Sequence, residues 1–108
     1  MAANVVKVGD ADFRREVLEA AQPVLVDFTA TWCAPCRAIS PVLEELAGKY
    51  QGQVKVVKVD VDENQVAAQQ FGVRSMPTLL MFRSGKVVEQ IVGAVPKARL
   101  EESFRKVV

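Results

Sequence analysis

Val24-Leu25-Val26-Asp27-Phe28-Thr29-Ala30-Thr31-Trp32-Cys33-Ala34-Pro35-Cys36 joins an apolar run to both cysteines of the chain. Val24 to Phe28 is apolar except at Asp27, the pattern of a strand covered on both faces. Beyond the cysteines, Ile39, Val42, Leu43, Leu46 and Tyr50 recur at helical spacing, so the pair opens a long amphipathic helix that ends near Gly52. Pro41 lies inside it and removes one backbone hydrogen bond, which predicts a kink between the cysteine turn and the packing body. Two thiols therefore stand where a strand runs into a helix, three residues apart.

Outward from this stretch the chain alternates strand-like and helix-like segments. Val5 to Val8 reads as a strand, and Phe13, Val17, Ala20 and Ala21 as a helical face with Asp10 or Asp12 available as its cap. Val54 to Val61 reads as a buried strand, and Asn64 to Phe71 as a short helix stopped by Gly72. Thr78 to Phe82 and Val87 to Val92 form a hairpin around Ser84-Gly85-Lys86. Leu100, Phe104 and Val107 give a closing helix its apolar face, with Pro96 near its first turn. The order βαβαβαββα predicts an α/β fold, a central mixed sheet flanked by helices on both sides.

Composition bounds the function. A chain of 108 residues, half of them hydrophobic, fits one domain over residues 1–108 that buries a core without staples. Its 14 basic and 13 acidic residues leave a net charge of +1 and gather into no run, so neither nucleic acid nor a membrane surface is expected as a partner. Met1 to Lys7 lacks the basic and apolar segments of a secretory leader, and no apolar run approaches the ~18 residues of a membrane span. A soluble, cytoplasmic protein is the expectation. There thiols are kept reduced, so a disulfide between the cysteines is more often transient and catalytic than structural.

Residues three apart on a helix have Cβ atoms ~5 to 6 Å apart, slightly beyond the ~3.5 to 4.5 Å of a disulfide, and modest tightening lets the bond form and break. At the head of a helix, unpaired N–H groups and the helix dipole favour a negative sulfur on Cys33. An unperturbed thiol, with pKa ~8.5, is only ~3% thiolate at pH 7, so any lowering makes attack more practical. Other readings of the pair stand beside this one. A structural staple closing four residues yields only about 2 kcal/mol by chain entropy. A zinc site needs four ligands, and the chain has no third cysteine and no histidine. Two free cysteines at this spacing by coincidence is the third.

Phe28-Thr29-Ala30-Thr31-Trp32-Cys33-Ala34-Pro35-Cys36-Arg37, then Pro41, Met76-Pro77-Thr78 and Val92-Gly93-Ala94, together resemble the thioredoxin family across essentially the whole chain. A CxxC pair beside a strand–helix unit is itself an established sign of such redox domains. The resemblance implies the thioredoxin fold, a five-stranded mixed sheet with four helices. It implies a protein-disulfide reductase, an electron carrier in cell redox homeostasis. Cys33 would be the attacking thiolate and Cys36 the buried resolving thiol. No cofactor is bound in such a protein; NADPH serves indirectly through a thioredoxin reductase, and disulfide-containing proteins are the substrates.

Supporting residues follow. Asp27 in a core-like strand suffers desolvation that would raise its pKa toward neutrality, which suits a proton acceptor, and the resemblance implies that it deprotonates Cys36. Its plain alternative is a carboxylate at a strand end that meets solvent. Lys58, on the strand face of Val54 and Val56, is either a partner for Asp27 or a lysine snorkelling from the sheet rim. Pairing would oppose the rise in Asp27 pKa. Sequence alone makes Met76–Pro77 trans, and the resemblance implies cis. Met76 and Pro77, with Trp32, Ala34, Pro35, Gly93 and Ala94, would then bind extended substrate peptide through its backbone, as an added strand. Trp32 otherwise reads as an ordinary core aromatic.

The chain departs from the family pattern in four places. Ala34-Pro35 stands where Gly-Pro is usual, Thr29 where a second tryptophan is common, Ser75 for a common glycine and Met76 for a common isoleucine. Oxidising relatives usually carry histidine between the cysteines; its absence favours a reductase over an oxidase. A binding module that holds a partner regardless of redox state is the alternative from another functional class.

Overall fold

The computed structural model describes residues 4–108; Met1, Ala2 and Ala3 of the leading segment lie outside the described residues. In chain order the elements are β1 (Val5–Lys7), α1 (Arg14–Leu18), β2 (Val24–Thr29), α2 (Ala34–Lys49), β3 (Lys55–Asp60), α3 (Gln65–Gln70), β4 (Thr78–Arg83), β5 (Lys86–Val92) and α4 (Lys97–Arg105). The sheet runs β1-β3-β2-β4-β5, with β1, β3 and β2 parallel and β4 and β5 antiparallel. This is the thioredoxin fold, a five-stranded mixed sheet with four helices.

Alternation along the strands divides the core in two. Leu25, Val56, Leu79 and Met81 face α2 and α4, packing with Ile39, Leu43, Leu46, Leu100 and Phe104. Val24, Val26, Phe28, Val57 and Leu80 face the other way, against Phe13, Val17 and Ala67 of the α1 and α3 side. Strand β2 is central, so both its faces are buried, which is why its sequence reads as a continuous apolar run. Asp27 shares the α2 face with Leu25 by period two.

Several local expectations change. The first helix is shorter than its apolar spacing predicts and is a π-type turn, closed by the Glu19 N–H donating to the Arg14 carbonyl at 2.9 Å. Neither aspartate caps it. Asp12 folds back to accept from the Gly9 N–H, and Asp10 reaches across the chain to accept from the N–H groups of Val66 and Ala67 at the start of α3. The hairpin loop is two residues, with Ser84 at φ 53° and Gly85 at φ 79°, the two left-handed positions of a type I′ turn. Helix α2 is one element of 16 residues with Pro41 inside it, as its apolar spacing predicts.

Candidate functional site

The site forms where β2 hands over to α2. Cys33 keeps extended backbone angles as the N-cap residue, and its Sγ accepts the Cys36 N–H at 3.2 Å. Pro35 lies in the first turn, where helix N–H groups have no intrahelical acceptor, so its missing N–H costs nothing. Cys33 and Cys36 are joined as a disulfide with Cα atoms 5.3 Å apart. They pack with Ala30, and Val61 and Met76 lie against the cluster. Exposure does not rank the two sulfur residues, at 4% for Cys33 and 3% for Cys36. Their surroundings differ. Cys33 Sγ lies 3.7 Å from the Met76 carbonyl oxygen, whereas Cys36 borders a cavity that also holds Asp27.

Asp27 is 5% exposed, and its Oδ1 accepts no hydrogen bond. Burial without a donor disfavours the charged form and pushes the carboxyl up to about 7, against the weaker pull of the Lys58 ammonium. Lys58 stands directly opposite Asp27 in the β2–β3 register. Among the described residues it forms no ion pair with Asp27 within 4.0 Å, so it acts through space. Of the two sequence readings, the structure supports the buried carboxylate over the solvent-facing one. It puts Lys58 beside Asp27 without pairing them.

On the outer side, Trp32 is 64% exposed, which removes the core reading of this residue. Its Nε1–H donates to Asp62 Oδ2 at 2.8 Å, and the Asp62 N–H donates to Asp60 Oδ1, holding the loop after β3 against the indole. The Met76–Pro77 peptide is cis. Pro77 is buried and its carbonyl accepts the Gly93 N–H at 2.8 Å, which holds the Gly93-Ala94 turn beside Pro77. Gly93 has φ +95°, a conformation that a side chain would strain. Ala34, Pro35 and Ala94 are exposed, and Met76 and Gly93 are half-buried. Sequence reasoning missed Asp62, whose contact with Trp32 spans 30 residues, and the hydroxyls of Thr31 and Ser40 beside the cavity. No local pattern marks Asp62, whereas Ser40 lies one helical turn beyond Cys36.

A disulfide at a helix amino terminus, with a buried carboxyl beside the second cysteine and an exposed tryptophan next to the first, defines a thiol–disulfide oxidoreductase. A family model described as Thioredoxin matches residues 4–106. Thioredoxin 1 of Nostoc sp. is 51% identical over 100 residues, spanning 93% of this chain and 94% of its own. Thioredoxin 1 of Synechococcus elongatus is 54% identical over 99 residues, 92% of each chain. The thioredoxin of Haemophilus influenzae is 51% identical over 98 residues, 91% of this chain and 92% of its own. The chain belongs to the thioredoxin family, as a protein-disulfide reductase with a redox-active CxxC pair.

Proposed function

We propose that the chain reduces protein disulfides in two exchange steps with unequal thiols. In the dithiol form the Cys33 thiolate is held by the α2 amino terminus, where the Cys36 N–H already points at its sulfur. It attacks one sulfur of a substrate disulfide; a mixed disulfide forms and the other substrate sulfur leaves as a thiolate. Cys36 then gives its proton to the Asp27 carboxylate and attacks Cys33 Sγ. The second substrate thiolate leaves, two electrons have passed to the substrate, and the Cys33–Cys36 disulfide remains. A carboxyl near 7 is suited to this transfer, since it is ionised often enough to accept a proton and basic enough to take one. Lys58 stabilises the charged form of Asp27 from across the strand pair.

Substrate recognition falls to the surface around Cys33. An extended peptide pairs with the Met76 backbone and lies between Trp32, Ala34 and Pro35 on one side and Gly93-Ala94 on the other, with its disulfide over Cys33 Sγ. Backbone pairing reads no side chain, which gives breadth. A thioredoxin reductase restores the dithiol with electrons from NADPH, and the working compartment is the cytoplasm, where such a supply keeps thiols reduced.

The observation that carries this reading is the Cys33–Cys36 disulfide at the head of α2 with Asp27 buried behind it. NADPH oxidation, followed with a thioredoxin reductase and a test protein disulfide, is expected to depend on this protein catalytically. No turnover with a reductase that accepts the thioredoxins similar to this chain would overturn the carrier role.

A further inference from the structure

Behind the cysteines lies a cavity of about 290 Å³ lined by Asp27, Thr29, Thr31, Cys36, Ser40 and Lys58. Its innermost polar atom, Asp27 Oδ1, is buried and receives no hydrogen bond from the protein. A buried carboxylate oxygen is costly unless something donates to it, and a polar cavity of this size holds several waters at roughly 30 Å³ each. Two hydroxyls flank the Asp27–Cys36 pair in a regular way. Thr29 follows Asp27 by two along β2 and shares its face, and Ser40 follows Cys36 by one helical turn along α2. Both are half-buried, unlike Thr31, which is exposed. Ser40 Oγ makes one long contact, 3.5 Å to Glu44 Oε2, and Thr29 Oγ1 makes no hydrogen bond among the described residues.

We propose that Thr29 and Ser40 are positioning residues that hold water against Asp27 Oδ1, hydrating the carboxylate and carrying its proton to solvent. The proposal rests on Asp27 as proton acceptor for Cys36. Thr29 anchors the water from the strand side and Ser40 from the helix side, so the donor to Oδ1 is solvent fixed by this chain's own hydroxyls. The charged and titratable groups around Asp27 are Lys58 from β3 and Cys36 and Arg37 from α2. Arg37 is turned outward, its Nη1 donating to the Thr31 carbonyl, and β4 places the apolar Leu79 opposite Asp27. Lys58 aside, water is the remaining means of stabilising the Asp27 charge.

The test replaces the hydroxyls and keeps the shape: Thr29→Val with Ser40→Ala. The Asp27 carboxyl, titrated by carbon NMR in the disulfide form of the protein, is expected to move upward by about one pH unit. The reduced protein is then mixed with 5,5′-dithiobis(2-nitrobenzoate), whose second thiolate is released in the unimolecular step in which Cys36 attacks Cys33. At pH 7 a midpoint raised from about 7 by one unit leaves about one fifth as much Asp27 ionised, so this step is expected to slow about fivefold and to recover by about pH 9. Ser40→Ala alone, on the half-buried side of the helix, is expected to shift the midpoint in the same direction without disturbing the core. An unchanged Asp27 midpoint in the double variant overturns the proposal, and so does a slowing that persists undiminished at pH 9. Failure of the underlying reading looks different: Asp27→Asn would leave the unimolecular step unaltered, whatever the Asp27 titration shows.

Discussion

Helix α2 has a buried carboxylate at each end, and the two are treated in opposite ways. At its amino end Asp27 lies behind Cys36 with an oxygen that receives no donor from the described residues, and its carboxyl is pushed up to about 7. At its carboxyl end Glu101 of α4, also buried, accepts from Lys49 Nζ and from the Tyr50 hydroxyl, the latter at 2.8 Å. Those two hydrogen bonds hold Glu101 below the usual carboxylate range, while burial and the same Glu101 contact push the Tyr50 hydroxyl up. The Tyr50 ring packs on Phe104 with centroids 5.1 Å apart, so the paired carboxylate also fastens α2 to α4. Burial alone therefore does not set the charge. Partners decide it: one carboxylate is satisfied by two donors, and the other is left short of them beside Cys36.

The largest effect separates chemistry from scaffold. Cys36→Ser at the amino end is expected to cut turnover by ~10²-fold or more and to accumulate substrate bound through Cys33, with the fold intact by circular dichroism. No change at the carboxyl end of α2 should do this.

Asp27→Asn comes next. Because the folded-state pKa of Asp27 is raised from 3.8 to about 7, the native state holds its proton more tightly than the unfolded chain. The contribution of this group to stability is therefore full below about pH 4 and is lost as pH rises toward 7, a loss of about 4 kcal/mol once ionisation is complete. Denaturant unfolding at pH 9 is expected to find Asp27→Asn more stable than the parent by roughly that amount, with the difference vanishing near pH 4. A variant equal to or weaker than the parent at pH 9 would remove the contrast between the two carboxylates.

Glu101→Gln is expected to act with the opposite sign and a smaller size. A lowered folded-state pKa gives stability that is present above the unfolded value of 4.5 and lost as pH falls through the lower folded one. Its melting temperature should thus fall below the parent's at pH 7 and converge on it in strong acid. The smallest effect belongs to Lys58→Met. Removing the one cation that opposes burial should raise the Asp27 midpoint by less than about one unit, read as a shift in the pH profile of the Cys36 step.

How much of this was legible in the sequence follows the range of each interaction. The β2 run, the period of α2 and the cysteine spacing are local patterns; the first predicts Val24–Thr29 to within one residue, and the other two predict Ala34–Lys49 with an end about three residues too late. Asp27 was legible as an anomaly, since a lone carboxylate in a two-sided strand has no packing reason to be there. The cis Met76–Pro77 bond was not legible from residue types and came only with the family resemblance. Local offsets offer Asp10 or Asp12 as a cap for the nearer helix and cannot show that the Asp10 carboxylate reaches α3, more than fifty residues on. Glu101 was silent for the same reason: its partners Lys49 and Tyr50 are brought to it by the packing of α4 on α2. The hairpin was found but its loop was read one residue too long, because Lys86 pairs with Arg83 inside the ladder.

Carbon NMR titration of the side-chain carboxyls in the disulfide form of the protein tests the contrast most directly. Asp27 is expected to titrate near 7 and Glu101 below the ordinary glutamate range in the same sample. Both groups titrating together near pH 4 would contradict it, and would leave Cys36 without a proton acceptor at neutral pH.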